Sequence, residues 1–323
     1  MNGITISGNN NQMSTGAAEL FRRNLRASMS DNTFRAYGSQ LKTFAAFCAA
    51  RGVSAFPCEP YTIACYIEHL KETGHKMSTI NQTIAAITKQ HRAAGVVSPC
   101  DDVQVKAAIA AASREIGTAP KQKAAITSDV LSVILSAMSG QTLKDMRDRA
   151  LIALGFMGAF RRSEIAALRA SDLEYTTDKS GRRVVLVTVR RSKTDQTGAG
   201  MVKAIFAGSK TVDAVALLAD WIAAAGISGD MPLFSSINRH GQRGNEPLNG
   251  YSIARIIKER AAAAGVALDV SGHSLRRGFV TSAVESGATE RAIMHQTGHK
   301  SAQMVRRYIE RHDVTTDNAA ALL

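Results

Sequence analysis

The residues of this chain best suited to chemistry gather between Ser271 and Glu310, in the segments SGHSLRRGF, TGHKS and RRYIE. They supply an imidazole and a guanidinium three residues apart (His273, Arg276), a second imidazole (His299) and, nine residues after it, a phenol (Tyr308). A guanidinium grips oxyanions through paired N–H donors, and a phenol with a proton acceptor beside it is a nucleophile. Together these side chains suit reaction at a phosphate. Taken singly, each has a plainer reading: a helix-capping histidine, a surface arginine, a tyrosine buried with Met304 and Val305 on one helical face.

Local sequence indicates how these groups are held. A helix over Ser274–Ser286 sets His273 at its mouth and Arg276 one turn in, and Gly298 suits the end of the helix before His299. Upstream, GAFRRSEIAAL follows an amphipathic run, Leu143–Met157. A helix starting near Arg162 buries Ile165 and Leu168 and leaves Arg161 at its mouth, with Glu164 in reach as a brace. Lys193 falls in the polar turn RRSKTDQTGAG between two strands, 184–189 and 202–206, a position from which an ammonium can deliver a proton. Arg161 could instead merely pair with Glu164, and Lys193 be one more turn lysine.

The 323 residues, 45% of them apolar, leave room for two domains with proper cores. Few aromatics and abundant alanine favour packed helices. A formal net charge of +13 points to a polyanionic partner, nucleic acid first. Cys48, Cys58, Cys65 and Cys100 form neither a CxxC pair nor a zinc-ligand spacing, so they read as reduced thiols of a cytoplasmic protein, with no metal expected. No stretch reads as a signal peptide or a membrane span.

Residues 1–16, polar and Asn-rich, read as a disordered tail. Residues 17–116 read as a helical bundle. One helix is capped by Ser30 or Asp31 and turns Phe34, Tyr37, Leu41, Phe44 and Cys48 inward; others open on Pro60, on Ser78 and near Asp101. Thr33, Arg35, Ser78, Gln82, Lys89 and Arg92 project from two of these helices and suit a DNA backbone and base edges, although any one alone is an ordinary solvated residue. Residues 117–125 (GTAPKQKAA) read as a linker. The second domain, 126–323, mixes helices with the strand pair and carries a basic loop around Arg239, His240 and Arg243, where Arg239 and Arg243 are further candidates for DNA contact.

GAFRRSEIAAL, the strand-turn lysine, HSLRR, TGH and RRY, in this order, resemble the signature of the tyrosine recombinases, the phage integrase family. The resemblance spans the second domain and, more loosely, the first, through S-x-N-T-x-x-x-Y and T-I-N-Q followed by H-R-A-A-G. Histidine at 299 is the commoner choice in the family. Arg162, where the family usually has an apolar residue, is a departure.

The resemblance implies a mainly α fold with a small antiparallel β-sheet, arranged as a two-domain, C-shaped DNA clamp with a SAM-like core-binding domain. It implies site-specific recombination through a 3′-phosphotyrosine intermediate and a Holliday junction, without cofactor, metal or ATP. Tyr308 is then the nucleophile, His273 its proton acceptor and Lys193 the general acid. Arg161 and Arg276 bind the non-bridging oxygens, with Glu164 behind Arg161 and His299 donating to the phosphate. The implied partner is double-stranded DNA with an inverted-repeat site, bound by a homo-tetramer on two duplexes that is a monomer or weak oligomer when free. Residues 313–323 would dock as a short helix into a neighbouring subunit. Relaxation by a type IB topoisomerase uses similar chemistry, and a DNA-binding protein with an inactive catalytic fold is a third alternative.

Overall fold

A computed structural model describes residues 23, 24, 26–117, 123–192, 200–299, 301–303, 305, 306, 308 and 309. The expected N-terminal tail, most of the linker, Lys193 and the C-terminal docking segment lie outside the described residues. The chain divides into two compact units, Met1–Lys121 and Gln122–Leu323.

The first unit is a bundle of α1 (Asp31–Ala49), α2 (Pro60–Glu72), α3 (Met77–Ala93) and α4 (Val103–Ile116). Local chemistry sets the starts: Ser30 Oγ accepts from the Thr33 N–H, Pro60 occupies the first turn, and the Asp102 carboxylate accepts from the Gln104 N–H. Phe44, Phe47, Cys48, Ile63, Tyr66, Ile67, Ile80, Ile87 and Val105 form the core. Phe34 departs from its expected inward place. It is 47% exposed, beneath the Arg26 guanidinium at 4.2 Å, because no residue of α1 before Phe44 is buried.

The second unit centres on α6 (Leu143–Met157), apolar on every side from Ala150 to Phe156 and therefore enclosed. Around it lie α5 (Ser128–Ser136), α7 (Arg162–Ala167), α8 (Ala214–Ala225), α9 (Gly250–Ala263), α10 (Ser274–Glu285) and α11 (Glu290–Thr297). An antiparallel sheet runs β1 (Leu173–Thr177), β2 (Arg183–Val189), β3 (Met201–Phe206), with Val187 opposite Lys203. A second antiparallel pair, β4 (Ser235–Ile237) and β5 (Arg243–Pro247), takes the place of the expected basic loop, whose Arg239 and His240 lie between its two strands.

The chain start of this unit threads across α10. Ile126 N–H donates to Ser274 O at 3.1 Å, Ser128 N–H to Ser282 Oγ at 2.9 Å, and a Cβ at Gly278 would stand 1.5 Å from Ile126 O. Only glycine permits that approach. Beyond α11, residues 302, 303, 305, 306, 308 and 309 are helical, and Val305 joins Val280 and Ile293 in a small core that Tyr308 and Ile309 flank.

Candidate active site

Helix α6 ends at Met157, and the chain reverses through Gly158, Ala159 and Phe160 into Arg161. Gly155 lets α6 approach closely: a Cβ there would stand 3.0 Å from both Ile165 and Leu275, the anchors of α7 and α10. Ala159 is fully buried with φ +46°, a left-handed conformation unfavourable for a residue with a Cβ. Arg161 is the N-cap of α7. Its backbone N–H donates to Glu164 Oε2 at 2.9 Å and its Nη1 to Oε1 at 2.6 Å, so the buried Glu164 both caps the helix and aims the guanidinium.

Arg276, in the first turn of α10, is 2% exposed. Its Nη1 donates to Ala159 O at 2.8 Å, while its buried Nη2 has no hydrogen-bond partner among the described residues. Lys203 on β3 joins them. It is 1% exposed, donates to Gly158 O at 2.7 Å and Ala159 O at 3.3 Å, stands 3.8 Å from Glu164 Oε2 and lies over the Phe160 ring at 4.5 Å. Three cations thus share one carboxylate.

The ionisable groups register that imbalance. Burial pushes the Lys203 ammonium down to about 7, Glu164 opposing and Arg276 and Arg161 adding to the fall. Burial, then Arg161, lowers Arg276 to about 10, which leaves it cationic at neutral pH; Glu164 and the nearby phenol of Tyr308 act the other way. His299 drops to about 4 through burial and the charges of Arg276, Arg161, His273 and Lys203, so it is neutral at pH 7. Its tautomer follows from Thr297. That hydroxyl gives its only proton to Ile293 O at 2.6 Å, so at 2.9 Å it accepts from His299 Nδ1–H, leaving Nε2 without a proton. His273, exposed at the mouth of α10, has its backbone N–H on Ser271 Oγ at 3.2 Å.

Arg161, Glu164, Arg276, His273, His299 and Tyr308 therefore come together as neighbours in one electrostatic environment. Sequence reasoning missed three contributors: Lys203, Ala159 and Gln296. The Gln296 amide donates to Met157 O at 2.9 Å and Ala204 O at 3.1 Å, tying α11 to the end of α6 and to β3. A signal for Lys203 exists, since it alternates in phase with the buried Ile205. Arg162 needs no apolar substitute, because its aliphatic stem packs on Gly250 and Gly272.

None of the other described candidates is a partner in these contacts. Ser78, Gln82, Lys89 and Arg92 recur at helical spacing on α3, and Gln82 bonds Gln40 of α1 at 3.5 Å. Thr33 shares a hydrogen bond with Ser30 at 2.9 Å, and Arg35 donates to Asn32 at 2.7 Å. Arg92 pairs with Asp101 at 3.4 Å. Arg239 bonds His240 at 3.1 Å, and Arg243 Nη2 reaches Met231 Sδ at 3.5 Å. Among the described residues no helix is long and apolar enough to cross a membrane, and no group of His, Cys, Asp and Glu is arranged to hold a metal ion.

A helical bundle and a mainly helical unit with small antiparallel sheets, with the buried Arg276 and the partly buried Arg161 around one carboxylate, define a class, and the matches agree with it. Residues 124–314 match the phage integrase family and residues 19–95 its N-terminal SAM-like domain. The chain belongs to the phage integrase family and is a tyrosine recombinase. It is 37% identical to an integrase/recombinase xerD homolog of Selenomonas ruminantium, over 96% of this chain and 89% of that protein. It is 26% identical to the recombinase cre of Escherichia phage P1, over 99% and 95%. In fold it resembles the XerH recombinase bound to a palindromic difH substrate (TM-score 0.66, 14% identity, 94% of this chain and 84% of that one). It also resembles a lambda integrase dimer bound to a COC′ core site (TM-score 0.62, 16% identity, 90% and 93%).

Proposed function

We propose that this recombinase cuts and rejoins DNA at a specific site through a 3′-phosphotyrosine on Tyr308. The observation that carries the reading is Arg276, buried with one arm anchored on Ala159 O and the other, beside Arg161, without a hydrogen-bond partner among the described residues. A buried donor left unpaired is costly, and a non-bridging phosphate oxygen supplies its acceptor. Arg161 offers the second grip. Both stabilise the charge that grows on the phosphoryl oxygens as the Tyr308 oxygen attacks phosphorus.

His273 accepts the phenolic proton, and Lys193 protonates the departing 5′ oxygen. His299 serves the phosphate only after Nε2 gains a proton, which the incoming anion favours by offsetting the cations around it. The phosphotyrosine conserves the ester bond, so the 5′ hydroxyl of a second strand reverses the step with no ATP, metal or other cofactor. Successive exchanges pass through a Holliday junction. The partner is duplex DNA with an inverted-repeat site. Thr33, Ser78, Gln82 and Lys89 contact it along the α1 and α3 surfaces, with Arg35, Arg92, Arg239 and Arg243 on phosphates. Four copies assemble on two duplexes, residues 313–323 of each docking on a neighbour, at the nucleoid of the cytoplasm.

The test is covalent capture of nicked suicide duplexes from a randomised library. Wild type yields a DNA–protein adduct and Tyr308→Phe yields none. Absence of any Tyr308-dependent adduct would sink the reading, and relaxation of supercoils without strand exchange would replace recombination with topoisomerase activity.

A further inference from the structure

Lys203 is a costly residue to bury, and nothing in its strand demands it. Its place on β3, opposite Val187 and in phase with Ile205, would suit any apolar side chain. Its amine is instead spent on the backbone of the turn between α6 and Arg161, donating to Gly158 O and Ala159 O. We propose that Lys203 is a positioning residue of the phosphate site, holding the left-handed turn at Ala159 so that its carbonyl aims the Arg276 guanidinium. This deepens the phosphotyrosine reading and rests on it.

Three observations support the assignment. Ala159 O receives both Lys203 and Arg276 Nη1, so the two cations share one acceptor and a shift of the turn moves both. The φ of +46° at Ala159 has no intrinsic preference behind it and persists only where neighbours hold it. Glu164, which aims Arg161, also faces Lys203 at 3.8 Å, so the same ammonium balances the carboxylate behind the other arginine.

At 1% exposure, with its donors on carbonyls, Lys203 does not touch the substrate; that separates it from Lys193. The groups facing it are Glu164, Arg161, Arg276 and, through its field, His299. Either protonation state retains enough N–H donors for two carbonyls, so the clamp survives loss of the proton near neutrality.

The full-length protein is tested with the captured suicide duplex as probe. Lys203→Met removes the donors at similar volume. Replacing a buried charge with an apolar group often costs no stability, so the melting temperature should hold or rise while adduct formation slows about 100-fold. Duplex affinity, set by many phosphate contacts, should stay within about threefold. Lys203→Gln, which keeps two N–H donors, should recover about tenfold of the lost rate. In an Arg276→Ala background Lys203→Met should add less than about threefold, because the two act as one unit.

A Lys203→Met rate within threefold of an active wild type, or a full additional loss in the Arg276→Ala background, would overturn the positioning role and leave the phosphotyrosine reading standing. Loss of rate together with melting temperature, unrescued by glutamine, would reduce Lys203 to a structural residue. A wild type forming no Tyr308-dependent adduct would remove the parent reading and this inference with it.

Discussion

Two clusters of buried charge flank helix α6, and they are built to different sums. At its start, Arg147 donates to Asp148 Oδ1 at 2.7 and 2.8 Å, while Arg260 donates to Asp148 Oδ2 at 2.7 Å and pairs with Asp145 at 2.8 Å. Two cations meet two anions, and Arg147 also reaches Ser235 O, stitching α6 to α9 and β4. Beyond its end, Arg161, Lys203 and Arg276 share Glu164 as their one carboxylate among the described residues. The first cluster is complete as it stands. The second is complete only with an anion in it. Buried charge by itself therefore marks neither scaffold nor site; the excess does.

The comparison can be broken from either side. The largest expected effect is on the balanced cluster: Asp148→Ala strands the buried Arg147, takes one of the two carboxylates from Arg260 and should cost about 3–5 kcal/mol in a denaturant melt. If it leaves stability untouched, the scaffold role is wrong. Arg276→Ala should do the opposite, leaving the melt unchanged or improved while transition-state stabilisation falls by about 3–4 kcal/mol in the adduct assay. A smaller effect sharpens the point. Inorganic phosphate at about tenfold its dissociation constant should stabilise wild type by about 1.4 kcal/mol, and Arg276→Ala by nothing measurable.

A pH-dependent effect concerns His299. Its folded pKa is depressed to about 4 from 6.5 by burial first and the surrounding cations second, so the unfolded chain takes up that proton first on acidification. Its contribution to stability is full above pH 6.5 and fades as pH falls toward 4. A pH series of melts on His299→Gln should show a shallower decline than wild type over that window. An identical decline would mean that another group carries it.

Much of this arrangement was readable before any coordinates. Leu143–Met157, the start of α7 after Arg161, the start of α10 at Ser274 and the stop at Gly298 all follow from caps and periodicity, because those signals are local. Arg161, Glu164, His273, Arg276, His299 and Tyr308, singled out through the resemblance that their order and spacing carry, lie as neighbours. The rest depended on what lies across the fold. A lysine in a strand reads as an edge residue, and only the fold shows that Lys203 turns inward onto a carbonyl pair. β1 was missed because LEYTT is nearly all exposed and alternates in nothing, and β4–β5 because its strands are short and its sequence polar. Phe34 shows the converse error, periodicity extended two turns past the place where α1 meets its core.

The most direct measurement is peptide mapping of the captured covalent complex by mass spectrometry after nuclease and protease digestion. The expected product is a Tyr308 peptide carrying a nucleotide through its 3′ phosphate, formed by wild type and several-hundred-fold more slowly, roughly the 3–4 kcal/mol above, by Arg276→Ala. An adduct on any other residue, or one whose yield ignores Arg276, would contradict the claim that this phenol and this cation centre act on one phosphate.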